Sequence, residues 1–418
     1  MNAHEVLTEA RKETDKLFEI VRPESLYDRP IAERHRIVFY LGHLEAFDWN
    51  LLRPHMPNTD AFNPRFDHLF AFGIDPVGGG LPSDTPSDWP AADEIQRYNR
   101  QVRQALDDAE HDCMLLQMAL EHRLMHAETL AYMLHQLPLE RKLVEGQAEA
   151  PHGDAAKNEM IAVPAGQVTL GLARNGSFGW DNEFDEHRAE VPAFAIGRYK
   201  VTKADYLAFV EAGGYGDRSL WPDAAWQWKE SAHIGHPVFW KLSGRDWLCR
   251  TMFDEIPFEP DWPVYVSHSE ASAYAKWAGL RLPSEAEWQR AAYGSPGGAE
   301  SRFPWGDALP GPRHGYFGFS RWDPFPVGAF PCARSGFGLD GLLAGGWEWT
   351  SSQFAPFQGF EAHASYPGYS APFFDGKHYV LKGGSTRTAA CMLRRSFRNW
   401  FQPHYQYVYA GFRCARGV

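Results

Sequence analysis

The stretch EHRLMHAE places two histidines, His122 and His126, four residues apart. On a helix that spacing puts both imidazoles on one face, about 5–6 Å apart at Cβ and within chelating reach of one ion. Glu128 follows His126 by two residues, roughly 200° around the helix, so it turns away from that ion. A supporting or helix-packing role fits it better. His135 also lies off the face. A third ligand must come from another helix. His43, in YLGHLEAFDW, is the best candidate, because it sits mid-helix among apolar residues, where an imidazole without a partner is costly. His35, in the charged ERHR, and His68 and His111, which flank loops, are the alternatives. Three neutral imidazoles suit zinc, iron, nickel or copper. A face of three ligands with open positions suits an iron that must hold dioxygen and substrates together. The plain alternative is that the histidines are packing residues that meet by chance.

Residues 1–150 read as the helical scaffold that would position this set. His4–Val21 has helical periodicity, and Ile31–Leu52 is a second helix with Pro30 near its start. Phe62–Pro90 is a Gly/Pro/Asp-rich connection in which a helix should not persist. Ala92–Leu106 resumes helix, and Asp107–Leu137 is a long one ended by Pro138. Four helices with one long crossover make a bundle, a common place to hold a metal. Residues 139–160 are polar and linker-like.

Beyond them, over 151–418, the texture changes to short β-rich pieces between Gly/Pro/Asp turns, such as MIAVPAGQVTLG and AFAIGRYKVT. One clear helix, Ser269–Ala278, is expected there, with little regular structure elsewhere. The fold class is therefore α+β in two domains, 1–150 and 151–418.

Composition narrows the function classes. Aromatics make up 15% of the chain, with 16 Trp, and they crowd into the second half, which implies a pocket lined by rings. The net charge of −12 opposes non-specific nucleic-acid binding. The one Arg-rich patch, Arg394, Arg395 and Arg398, suits a structural or substrate-carboxylate role better. Five scattered cysteines without a CxxC suggest a reduced chain, not a disulfide scaffold. No signal core or bilayer-length apolar run is present, so a cytoplasmic protein with no membrane partner is expected.

HRLMHAE resembles the HxxxHxE motif of DinB-like bundles. VPAGQVTLG, GRYKVTKADYLAFV, PVYVSHSEASAYAKWAGLRLPSEAEWQRAA, WGD, GGWEWTSS, VLKGGS and AGFRCAR, in that order, resemble the formylglycine-generating-enzyme fold, which is C-type-lectin-like. Together the two modules cover nearly the whole chain and resemble the sulfoxide synthases of ergothioneine biosynthesis, with selenoneine synthase as a relative. The resemblance implies Fe(II) held by His43, His122 and His126, and hercynine bound to that iron through its imidazole. A thiol or selenosugar co-substrate and O2 would complete the site. Oxidative coupling would then place sulfur or selenium on imidazole C2, as a sulfoxide in the sulfur case.

The same resemblance assigns residues in the second domain, which would close the site. Tyr366 and Tyr369, in YPGYSAPFFDG, match a Tyr-x-x-Tyr pair, with Tyr366 as proton donor and Tyr369 beside the imidazole. Asn399 and Trp400, in RNWFQP, match a motif that meets the betaine of hercynine, where an indole face suits a quaternary ammonium. Tyr98 matches a tyrosine near the same ligand. Family members that use γ-glutamylcysteine carry an acidic residue just after this motif and an arginine a few positions on. Here those places hold Phe401 and His404 or Tyr405, Ala92 replaces another arginine, and Met125 stands where a glutamine precedes the last iron histidine in some relatives. A pocket without the charged clamp should reject a carboxylate-rich thiol. That tilts the expectation to a selenosugar, with cysteine or γ-glutamylcysteine as alternatives. Rival readings are a formylglycine-generating enzyme, for which GGSTRTAACMLRRS offers only Cys391, a non-catalytic ligand-binding module, and a DinB-type thiol transferase using zinc or nickel.

Overall fold

The computed structural model describes residues 3–71, 81–143 and 158–418. The chain divides into two compact units, Met1–Gly146 and Gln147–Val418. Most of the linker-like segment, residues 144–157, lies outside the described residues, as does 72–80 of the Gly-rich connection.

The first unit is built on four long helices: α1 (Ala3–Glu19), α2 (Ile37–Leu52), α4 (Ala92–Asp107) and α5 (Cys113–Gln136), with a short α3 (Pro64–Leu69) between the second and third. Helix α5 is buried on nearly every face, its charged residues Glu121, Arg123 and Glu128 included. It packs against α1 and α2, and α2 packs against α4. The Asp112 side chain accepts the Met114 and Leu115 N–H groups and starts α5 there. The long helix thus begins at Cys113, not at Asp107 as periodicity suggested, because Asp112 caps the first free amides. Helix α2 likewise begins at Ile37 rather than Ile31, since Arg34 N–H turns back to Ile31 O. The connection expected to hold no helix contains α3, which Asn63 caps by accepting from Phe66 N–H, with Pro64 in its first turn.

A buried ion network fixes the register of this unit. Arg123 on α5 pairs with Asp48 at 2.6 Å and with Glu45 at 3.1 Å, both on α2. Arg103 on α4 links Glu45 to Asp15 on α1.

The second unit contains β1 (Met160–Val163), β2 (Gly166–Leu170), β3 (His187–Val191), β4 (Phe194–Gly197), β5 (Trp240–Ser243), β6 (Asp246–Arg250), β7 (Glu255–Pro257), β8 (Gly346–Gln353), β9 (Tyr379–Gly384), β10 (Asn399–Phe401), β11 (Ala410–Phe412) and β12 (Ala415–Gly417). They form sheets ordered β1-β4-β12, β10-β9-β8-β11, β2-β3 and β5-β6-β7, antiparallel except for β11 on β8. The expected helix near Ser269 is α8 (His268–Trp277). Three more helices were not anticipated: α6 (Lys203–Glu211), α7 (Asp223–Ser231) and α9 (Glu285–Tyr293). Two of these carry reciprocal N-terminal caps, Thr202 with Asp205 and Ser284 with Glu287, a signal the short apolar period hid.

Trp288 sits at the core beside Phe194, Ile196, Leu339 and Leu393. Its indole N–H donates to Glu348 at 2.8 Å, and Glu348 also pairs with Arg413 and Lys200. Among the described residues no helix is long and apolar enough to cross a membrane.

Candidate metal centre

His43 on α2 and His122 and His126 on α5 form the one group of potential metal ligands found among the described residues, all three buried. The Nε2 atoms of His43 and His126 are 3.2 Å apart, and so are those of His126 and His122. His35, His68, His111 and His135 are not part of this group. Glu128, buried on α5, is outside it too.

The chemistry of the donor set fits a divalent metal. Nδ1 of His43 donates to Phe70 O at 2.6 Å. A carbonyl can only accept, so the proton resides on Nδ1 and Nε2 presents its lone pair to the other two rings. Burial pushes the His43 imidazole down to about 4, against the raising effect of the Phe70 carbonyl. Burial, and then the neighbouring imidazoles, push His122 and His126 well below the usual histidine range. All three rings are therefore neutral near pH 7, the form that ligates a metal.

Rings set their orientation. Phe47 stacks on His122 at 3.4 Å and 10°, and Phe39 on His43 at 4.8 Å and 21°. Phe70 follows α3 and packs against α2 at Gly42, where an added Cβ would lie 2.6 Å from three of its ring atoms. Phe39, Phe47 and Phe70 were not singled out from sequence. A Phe four residues before and after His43 on its own helix was the available signal. Tyr98 on α4 donates its hydroxyl to Asp67 at 2.7 Å and meets Phe66 edge-on, so its ring and one oxygen lone pair are what it can offer a ligand.

In the second unit Tyr366, Tyr369 and Trp400 share one aromatic cluster. The rings of Tyr366 and Tyr369 are 5.7 Å apart, Tyr369 stacks on Trp180 at 4.0 Å, and Tyr369 meets Trp400 edge-on at 5.3 Å. One face of Trp400 is covered by Phe354 at 4.2 Å and 6°. The tyrosine turn is anchored at Ser370, which donates to Asp181 and accepts from Asn182 at 3.0 Å. Trp180, Asp181 and Asn182 were missed in the sequence, where the segment WDNE reads as an ordinary polar loop. Burial and then the Asp181 carboxylate push the Tyr366 hydroxyl up to about 12. Asn399, Trp400 and Phe401 form β10, paired with β9. Asn399 accepts the Trp400 N–H, and Phe401 stacks on Tyr405 at 5.1 Å and 5°. The arginine patch is structural: Arg394 pairs with Glu183, Arg395 with Glu300 and Glu186, and Arg398 with Glu285.

The profile of the Sulfatase-modifying factor enzyme 1-like domain matches residues 147–418. Hercynine oxygenase of Mycolicibacterium thermoresistibile is 39% identical over 341 residues, which are 78% of this chain and 75% of that protein. Hercynine oxygenase of Mycobacterium tuberculosis is 37% identical over 86% of this chain and 83% of its own. Ergothioneine biosynthesis protein 1 of Neurospora crassa is 27% identical over 94% of this chain and 55% of its own.

Proposed function

The chain belongs to the hercynine oxygenase family of oxidative enzymes, with a sulfatase-modifying factor enzyme 1-like second unit, and from that premise we propose that it joins a sulfur or selenium donor to imidazole C2 of hercynine with O2. The observation that carries the proposal is the convergence of three neutral imidazole Nε2 atoms within a buried group. His43, His122 and His126 would hold Fe(II). When bound, the iron supplies open coordination positions and the redox capacity of the coupling. In the sulfur case one oxygen atom of O2 ends on sulfur. The other leaves as water with the thiol hydrogen and the C2 hydrogen.

The protein's own residues hold, orient and protonate. Phe47 and Phe39 keep two ligand rings in plane. Tyr366 keeps its proton throughout the neutral range, as a proton donor must. Trp400, backed by Phe354, edged by Tyr369 and flanked by Phe373 at 5.6 Å, would present its indole to the trimethylammonium group. Asn399 and Tyr98 would complete the hercynine contacts. A reducing, cytoplasmic setting suits five cysteines of which none forms a disulfide.

For the donor, we favour a selenosugar, because Phe401 lies flat on Tyr405 where a charged clamp would hold a carboxylate-bearing thiol. The names of the relatives favour the second reading, a thiol such as cysteine or γ-glutamylcysteine. Parallel incubations of the Fe(II)-loaded protein with hercynine, O2 and each donor, read by mass spectrometry, decide between them. Coupled product with selenosugar and none with γ-glutamylcysteine supports the first reading, and the reverse supports the second. A formylglycine-generating activity is disfavoured because the stretch GGSTRTAACMLRRS offers one cysteine, Cys391, rather than a pair.

A further inference from the structure

In the second unit, away from every residue assigned above, Lys203 Nζ lies 2.9 Å from Cys249 Sγ. Both side chains are buried, with Lys203 4% and Cys249 1% exposed. Among the described residues no carboxylate lies within ion-pair reach of Lys203. Its other neighbour is the face of Trp262, 4.6 Å from Nζ. A buried amine normally finds a carboxylate. Here it is aimed at a sulfur.

The backbone holds the two atoms in contact from opposite sides. Lys203 is the first residue of α6, after the Thr202 cap, and its N–H is held by Trp262 O at 2.8 Å. Cys249 is the fourth of the five residues of β6, opposite Trp240 on β5 and Ile256 on β7. The Glu259 N–H donates to its sulfur at 3.3 Å. Neither side chain has room to turn away, because both are enclosed by the core.

We propose that Lys203 and Cys249 form an oxidation-dependent covalent cross-link, Nζ–O–Sγ, with hydrogen peroxide as the oxidant. One peroxide converts the thiol to a sulfenic acid and leaves as water. A second peroxide removes one hydrogen from the amine and one from the sulfenic hydroxyl, an N–O bond forms, and two further waters leave. The gap between nitrogen and sulfur accommodates one bridging oxygen with little movement, whereas a direct S–N bond requires the strand and helix to be drawn together. Four thiols of an added reductant return the free amine and thiol, becoming two disulfides and releasing the bridging oxygen as water, so the bridge is a reversible staple between the start of α6 and β6.

The experiment uses the full chain, treated with hydrogen peroxide or kept anaerobic with dithiothreitol, then digested and read by tandem mass spectrometry. The expected result in the peroxide sample is a peptide pair linking Lys203 to Cys249, heavier by one oxygen and lighter by two hydrogens than the two peptides together. It should vanish on reduction and be absent from Cys249→Ser and Lys203→Arg proteins. The exposed Cys113, Cys332 and Cys391 report that oxidant reached the protein. Cys249 recovered as thiol or as sulfinic acid without a link, in a wild-type sample whose exposed cysteines are oxidised, overturns the proposal. A linked pair lacking the extra oxygen overturns it too. Neither outcome depends on whether the variants fold.

Discussion

His43 on α2 and Phe70 just after α3 are joined by one short hydrogen bond, Nδ1–H to backbone oxygen at 2.6 Å. It selects the tautomer of His43, aims Nε2 at His126, and makes the ligand depend on a segment that contributes no ligand itself. Partners of this kind set ring orientation and metal affinity.

Gly42→Ala tests that dependence. Ala favours a helix over Gly by about 1 kcal/mol, so α2 alone should gain. The new Cβ would however meet the Phe70 ring and displace the carbonyl. The expected outcome is an unchanged helical circular dichroism signal with iron affinity lowered about 10–100-fold, measured by metal analysis after anaerobic loading. Iron affinity equal to wild type would show that Phe70 does not orient the ligand.

The Arg123 network predicts a stability effect in the same unit. Asp48 and Arg123 are both about 1% exposed. Removing one partner of a buried pair leaves the other charge uncompensated, at a cost of about 3–5 kcal/mol. Arg123→Met removes the ion partner of Asp48, whereas Arg123 itself would keep Glu45 if Asp48 were lost, so Arg123→Met should lower the urea midpoint by that equivalent. Arg123→Met combined with Asp48→Ala should cost less than the two single changes added together. Strict additivity would mean that the pair does not couple α2 to α5.

Acid should weaken the second unit through Glu348. Burial alone would raise this carboxyl, but Arg413 and then Lys200 hold it below its ordinary value. Lys200 is pushed down to about 8 by burial but stays protonated throughout the acid range, so both cations keep the carboxylate charged there. A carboxyl whose folded value is depressed contributes stability above its unfolded value, 4.5, and that stability is lost as pH falls through the folded value. Wild type should thus lose stability below about pH 4.5, and Glu348→Gln should be less stable at neutral pH but lose less on acidification. Parallel stability–pH curves for the two proteins would contradict this.

Tyr366→Phe should leave the fold intact, since the Trp180–Tyr369 stack and the Ser370 anchor do not use its hydroxyl. Turnover should divert from coupled product to oxidised donor, visible in the product ratio. The same product ratio as wild type would remove Tyr366 from proton donation.

Much of the first unit was legible because its helices are long and periodic, and because His122 and His126 share a helix face by spacing alone. Helix α3 was not legible, since Asn63 and Pro64 start it inside a run rich in Gly and Pro, and six residues are too few to show a period. The orientation of His43 by a backbone carbonyl leaves no trace in residue type. In the second unit the short helices α6 and α9 announced themselves only by their caps, Thr202 with Asp205 and Ser284 with Glu287. The Asp181–Ser370 contact joins residues 189 apart, a separation no local pattern encodes. Resemblance, not periodicity, pointed to Tyr366, Tyr369 and Trp400, and the structure brings them into one aromatic cluster.

Iron retention and coupling are read together by loading the wild-type chain and His126→Ala with Fe(II) under anaerobic conditions, adding hercynine with selenosugar, cysteine or γ-glutamylcysteine, and then admitting O2. Wild type should retain iron and yield a product with the donor chalcogen on imidazole C2, while His126→Ala should retain little iron and yield none. No coupled product from wild type with any donor, or undiminished turnover by His126→Ala, would contradict this.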